Sequence, residues 1–142
     1  MNHTKQNNKN TNLLKSHFTI LMLFLVLLII TQFSEKIFQH SNFHPNAGLL
    51  HAANIFWLAL TLISMRMQIN AMKHSNPNVF IRSVMGSMLL KMLIAAFALL
   101  AYYFINPGGF DEKSVILSLV YYLAYLTVEV SSMMKLNRSK NG

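Results

Sequence analysis

Four stretches of this chain, residues 17–33, 47–65, 79–105 and 114–134, carry almost no charge, and short polar segments separate them. At 1.5 Å per helical residue, stretches of this size suit a hydrocarbon layer of ~30 Å. The first reads FTILMLFLVLLII at its centre and is the shortest, so it needs flanking residues or local thinning of the bilayer. A water-soluble domain needs a charged exterior, and charged residues are 11% of this chain, against ~25% in ordinary globular proteins. An apolar share of 54% equally excludes a disordered chain. The expected fold is an all-α membrane protein with four transmembrane helices in an antiparallel bundle.

The polar segments set its orientation. Residues 1–16 are basic and Asn-rich and read as a disordered tail; residues 135–142 form a second basic tail. Lys5, Lys9, Lys15, Arg66, Lys73, Arg82, Lys135, Arg138 and Lys140 fall on one side of the four spans, while only Lys36 and Lys113 fall on the other. Lys and Arg resist translocation, so both termini are expected in the cytoplasm. The net charge of +8 therefore acts as a topology signal, and nucleic acid is not an expected partner. The first span also resembles a signal peptide, but TQFSEKIF offers no small-residue cleavage site, so an uncleaved helix is expected. Asn76-Pro77 reads as a turn followed by a helix start. NPGG, residues 106–109, is a tight turn that predicts helices three and four as direct neighbours.

Two ionisable groups lie inside the spans, Lys91 and Glu129, and each costs ~2.5–3.5 kcal/mol at a helix centre. Lys91 stands nine residues beyond Arg82, and Glu129 six residues before Lys135. Those offsets put both in the same leaflet, ~13 Å and ~9 Å deep, where an ion pair would offset much of the cost. Ser83, Ser87, Lys91 and Ala95 make one face of helix three, with Gly86 beside it; Ser118, Tyr122, Tyr125, Glu129 and Ser132 make one face of helix four. Small and hydroxyl-bearing faces of this kind suit close helix packing. His51, Asn54 and Thr61 of the second span point to the same interior, whereas the first span is apolar all round and is expected to face lipid or a partner. For the pair itself three roles stand open: a lock between helices, a contact to a partner's carboxylate, or an ion path. Lys91 reaching toward the headgroups, with Glu129 protonated, is a further alternative.

Catalytic signatures are missing from the sequence: it holds no P-loop, G-x-S-x-G, H-E-x-x-H or Rossmann glycine pattern. One acid within the spans excludes paired-carboxylate chemistry, and the chain has no cysteine. His40, His44 and His51 are metal-ligand types, but Pro45 interrupts them and no carboxylate joins them. The reading is therefore of a non-enzyme with no metal and no cofactor.

The stretch NPNVFIRSVMGSMLLKMLIAAFALLAYYF, residues 76–104, resembles the third helix of the ATP synthase protein I family, small four-helix proteins encoded in bacterial ATP synthase operons, in the form found in Bacteroidetes. Asn76, Pro77, Phe80, Arg82, Met85, Gly86 and Lys91 match its N-P-x-x-F-[VI]-R-x-x-M-G entry and buried Lys. LVYYLAYLTVEVSSMMK is similar to the family's closing helix, with Tyr121, Tyr122, Glu129 and Lys135 in the corresponding places. The resemblance implies a bacterial inner-membrane protein that assists assembly of the rotor ring. Its expected partners are the rotor-ring and other membrane-sector subunits of an F-type ATP synthase, besides the lipid bilayer. The alternative is a small ion or solute transporter, for instance of Mg²⁺, with Lys91 and Glu129 along its path and homo-oligomerisation open. Ser87 and Met88 stand where better-known members carry an acidic residue, which favours the assembly role.

Overall fold

A computed structural model of the chain describes residues 2–37, 44–74 and 76–141. Among these residues the chain forms helices α1 (Asn2–Ile37), α2 (Ala47–Ala71), α3 (Pro77–Ile105) and α4 (Glu112–Asn141). Each holds a stretch long and apolar enough to cross a membrane: Leu14–Ser34, Ala47–Ala71, Asn78–Ile105 and Glu112–Arg138. The fold is all-helical and suited to multi-pass insertion.

Local chemistry explains where the helices begin and end. Asn46 opens α2, its side-chain oxygen accepting the N–H of Leu49 at 3.1 Å. Asn76 opens α3 in the same way, accepting from Asn78 at 2.9 Å, with Pro77 at the first helical position, where its missing N–H is harmless. Asp111 opens α4 by accepting the N–H groups of Lys113 and Ser114. Between α3 and α4, the Gly109 N–H closes onto the Asn106 carbonyl, and Gly108 takes a φ of 89° that only glycine adopts freely.

Three helices run further than the sequence suggests. Helix α1 reaches back to Asn2 through residues read as a disordered tail, α2 continues past Met65 to Ala71, and α4 extends to Asn141. These polar extensions contain neither Gly nor Pro, so nothing stops a helix already nucleated by its apolar span.

Helices α1, α2 and α4 pack on one another, and α3 lies against α2. This corrects the expectation that α3 and α4 are direct neighbours: the short turn joins their ends, while the close backbone approach of α3 is to α2. It also corrects the place of α1. Ser16, Ile20, Leu27, Thr31 and Ser34 form one buried face of α1, so this helix belongs to the core. Helix α3 is the peripheral one, with 11% of its apolar stretch buried against 39% for α2.

The interior is polar to a degree that water-soluble cores are not. Among the described residues, eleven buried apolar side chains are matched by eleven buried polar or charged ones. Leu21, Ile29, Ile55, Ile63, Leu89, Leu93, Phe97 and Phe104 instead point outward. In water this would be costly. In a bilayer it is the expected arrangement, because lipid solvates the outward apolar groups and polar side chains find partners only inside.

Candidate functional site

One face of α4 supplies a succession of polar contacts along the length of the bundle. It starts at Ser114, whose hydroxyl accepts the Asn46 N–H at 2.6 Å and donates to Asp111 at 2.6 Å. Next, Ser118 accepts from the Trp57 indole at 3.1 Å, and Tyr121 shares a 2.6 Å hydrogen bond with Thr31 of α1. Tyr125 then donates to Asn54 at 2.7 Å, and the Asn54 amide donates to the Phe24 carbonyl at 3.3 Å. The steps of four, three and four residues keep all these groups on the same side of the helix.

The next member, Glu129, is the centre of the site. Its Oε2 takes a charged hydrogen bond from Lys91 Nζ of α3, and its Oε1 accepts from the Gln68 amide of α2 at 2.7 Å. The same amide donates to Ser87 Oγ at 2.9 Å, and Ser87 in turn donates to the Val84 carbonyl at 2.8 Å. Lys91 and Glu129 are 2% and 1% exposed, which removes both from headgroup and lipid alike. Three helices therefore meet at one carboxylate with both of its oxygens occupied. Lys91 does not reach for the headgroups; its long side chain spans the gap that the backbones of α3 and α4 leave between them.

Gln68 is the residue that sequence reasoning missed. It falls in RMQIN, which reads as the start of a loop, yet α2 continues through it. The signal was spacing: Asn54, Thr61, Ser64 and Gln68 lie on one face of α2, and all four are buried. Trp57 and Thr31 were missed too, the second because α1 reads as uniformly apolar.

The other expected positions divide. Tyr125 and Ser87 are buried and hydrogen-bonded. Tyr122 is half-buried with its ring 4.8 Å from that of Trp57, and Ser83 is half-buried. Gly86 is a correction: it is exposed, and a Cβ added there would meet nothing within 4 Å, so it packs against no other helix of this chain among the described residues. Asn76 and Pro77 start α3, Phe80 is buried in the core, and Arg82 is exposed. Of the second span's polar residues, Asn54 and Thr61 are buried, while His51 faces Gln32 of α1 at 3.3 Å. His44 is exposed, and His40 lies outside the described residues.

A cleft of about 320 Å³ opens where α3 leans away from α4, with Ala95 and Ala98 on one wall, Val115 and Ser118 on the other, and Trp57 among its lining. A second of about 530 Å³ separates α1 from α4. Lys91 and Glu129 line neither. Nothing matches this chain among protein-family models, curated proteins or solved structures.

Proposed function

We propose that the protein is a non-enzymatic accessory factor for the membrane sector of a bacterial F-type ATP synthase, assisting rotor-ring assembly by helix packing in the inner membrane. In this reading the four helices form an antiparallel bundle with both termini cytoplasmic. The family resemblance of α3 and α4 supplies the partner. The observation that carries the mechanism is the closure of the ion pair: Glu129 is held by Lys91 and Gln68 together, a tie that fastens α3 to the rest of the bundle.

Lys91, being engaged inside, is then not the contact to a partner's carboxylate. The outward face of α3 takes that role. Arg82, Gly86, Leu89, Leu93 and Phe97 are all exposed there, and Gly86 leaves room for a second backbone to come close. A rotor subunit is a helical hairpin whose buried carboxylate is costly in lipid before the ring closes, so a helper of this shape has something to shield. The transporter alternative has less support, because the pair lines neither cleft. The test is co-expression of rotor subunits with and without this protein, reading the amount of closed ring extracted in mild detergent. The proposal predicts more ring when the protein is present. Equal ring yield would overturn it.

A further inference from the structure

The cleft between α1 and α4 lies at the opposite end of the bundle from the Asp111 cap, and the ion pair does not use it. Lys15 and Ser16 of α1 line one side; Ser131, Ser132 and Lys135 of α4 line the other. Ser16 is 5% exposed, and its hydroxyl has no hydrogen-bond partner. A buried hydroxyl with no acceptor is costly and calls for one from outside the protein. The cleft's threonines do not share this need, since Thr19 and Thr127 donate to the carbonyls of Lys15 and Leu123.

The charges agree with the hydroxyl. Lys15 and Lys135 are both exposed, and neither forms an ion pair among the described residues. No carboxylate lines the cleft. The nearest acid along α4, Glu129, is already neutralised by Lys91, while Asp111 and Glu112 are at the far end of that helix. Two cations and an unpartnered donor around an open volume make an anion site. Its other lining is apolar: Phe18, Val128 and Leu136 continue the surface toward the hydrocarbon spans. A soluble anion gains nothing from that wall, whereas an acyl chain does.

We propose that this cleft binds the phosphate of an anionic phospholipid, with Lys15 and Lys135 flanking the phosphate and the Ser16 hydroxyl donating to it. Basic pockets between transmembrane helices at the cytoplasmic face suit such headgroups, and a zwitterionic lipid brings a cation against the two lysines. This inference is independent of any tie to the ATP synthase.

The test uses the full chain in mild detergent, with native mass spectrometry and thermal unfolding as readouts. Phosphatidylglycerol, phosphatidylcholine and inorganic phosphate are added in separate arms. Wild type retains phosphatidylglycerol in preference to phosphatidylcholine, and the preference falls on the order of fivefold for each lysine replaced, in Lys15→Gln and Lys135→Gln. Ser16→Ala unfolds at the same or a higher temperature without lipid, because it loses an unpaired hydroxyl, yet gains less from phosphatidylglycerol. Equal retention of the two lipids would overturn the proposal, as would undiminished retention by the double lysine variant. Stabilisation by inorganic phosphate equal to that by phosphatidylglycerol would overturn the lipid assignment in favour of a soluble anion.

Discussion

Lys91 and Glu129 each occupy a place where either alone would be an uncompensated charge, so removing one partner costs more than removing both. Lys91→Met leaves Glu129 buried with only Gln68 beside it, and about 3–5 kcal/mol of stability is expected to go. Lys91→Met with Glu129→Gln restores most of that loss, since no buried charge remains. Thermal unfolding in detergent reads both. A double variant as unstable as the single one would mean that the charges do more than tie helices together. Gln68 is tested alongside: Gln68→Leu takes a donor from Glu129 and from Ser87 at once, and a loss of about 1–3 kcal/mol is expected. The meeting of Lys91 and Glu129 is legible in the sequence, because each can be placed by counting residues from a flanking cation. Gln68 is harder, because polar residues beside Arg66 read as the end of a span, and only the spacing from Asn54 shows that the buried face continues.

The start of α3 at Asn76-Pro77 is legible in the sequence, whereas Asp111, which opens α4, is found only in the structure and has a pH signature. Partial burial raises its pKa, but hydrogen bonds from the Ser114 hydroxyl and from the N–H groups of Asn46, Ser114 and Lys113 outweigh that effect and hold it below the ordinary aspartate value. A carboxylate depressed in the folded state stabilises the fold at all pH values above its unfolded pKa, and loses that effect as pH falls through the lower, folded one. Asp111→Ala is therefore expected to cost about 1 kcal/mol at neutral pH through loss of the cap, and the deficit shrinks as the medium is acidified below the ordinary range of ~3.9. Melting curves at neutral and acid pH read this directly; a deficit independent of pH would contradict it. The pairing of α3 was not legible. A tight turn at Gly108 fixes only where α3 and α4 join, and Ala95 and Ala98 offer too little side chain to fill the space between them. Helix α1 misleads for a related reason: Thr31 and Ser34 bond to carbonyls of their own helix, so their polarity is already half satisfied before packing and stands out little in an apolar run.

The whole molecule combines a closed polar interior with one peripheral helix. Polar contacts to α4 tie in α1 and α2, and among the described residues one ion pair, with Gln68 bonded to both Glu129 and Ser87 and Phe80 buried in the core, ties in α3. In the proposed reading, that division separates what the fold needs from what a partner would meet. Gly86 belongs to the second set: a Cβ added there meets nothing within 4 Å, so Gly86→Leu is expected to fold as well as wild type, with helix propensity in its favour by up to ~1 kcal/mol. A melting temperature lowered by this substitution would show that Gly86 packs within a copy of the chain. The membrane class and the number of spans follow from the pattern of charge-free stretches, while the sequence motif around Gly86 names a position and not its direction. Its outward aim follows from α3 leaning on α2.

The central claim, that the outward face of α3 is the working surface and the ion pair its fastening, is tested most directly by one pull-down. Wild type, Gly86→Leu and the Lys91→Met/Glu129→Gln double variant are each purified with a C-terminal tag in mild detergent from cells making the synthase. The account predicts rotor-ring subunits with wild type, their loss with Gly86→Leu at undiminished melting temperature, and their retention with the double variant. Retention by Gly86→Leu together with loss in the double variant would place the contact at the ion pair and contradict the account.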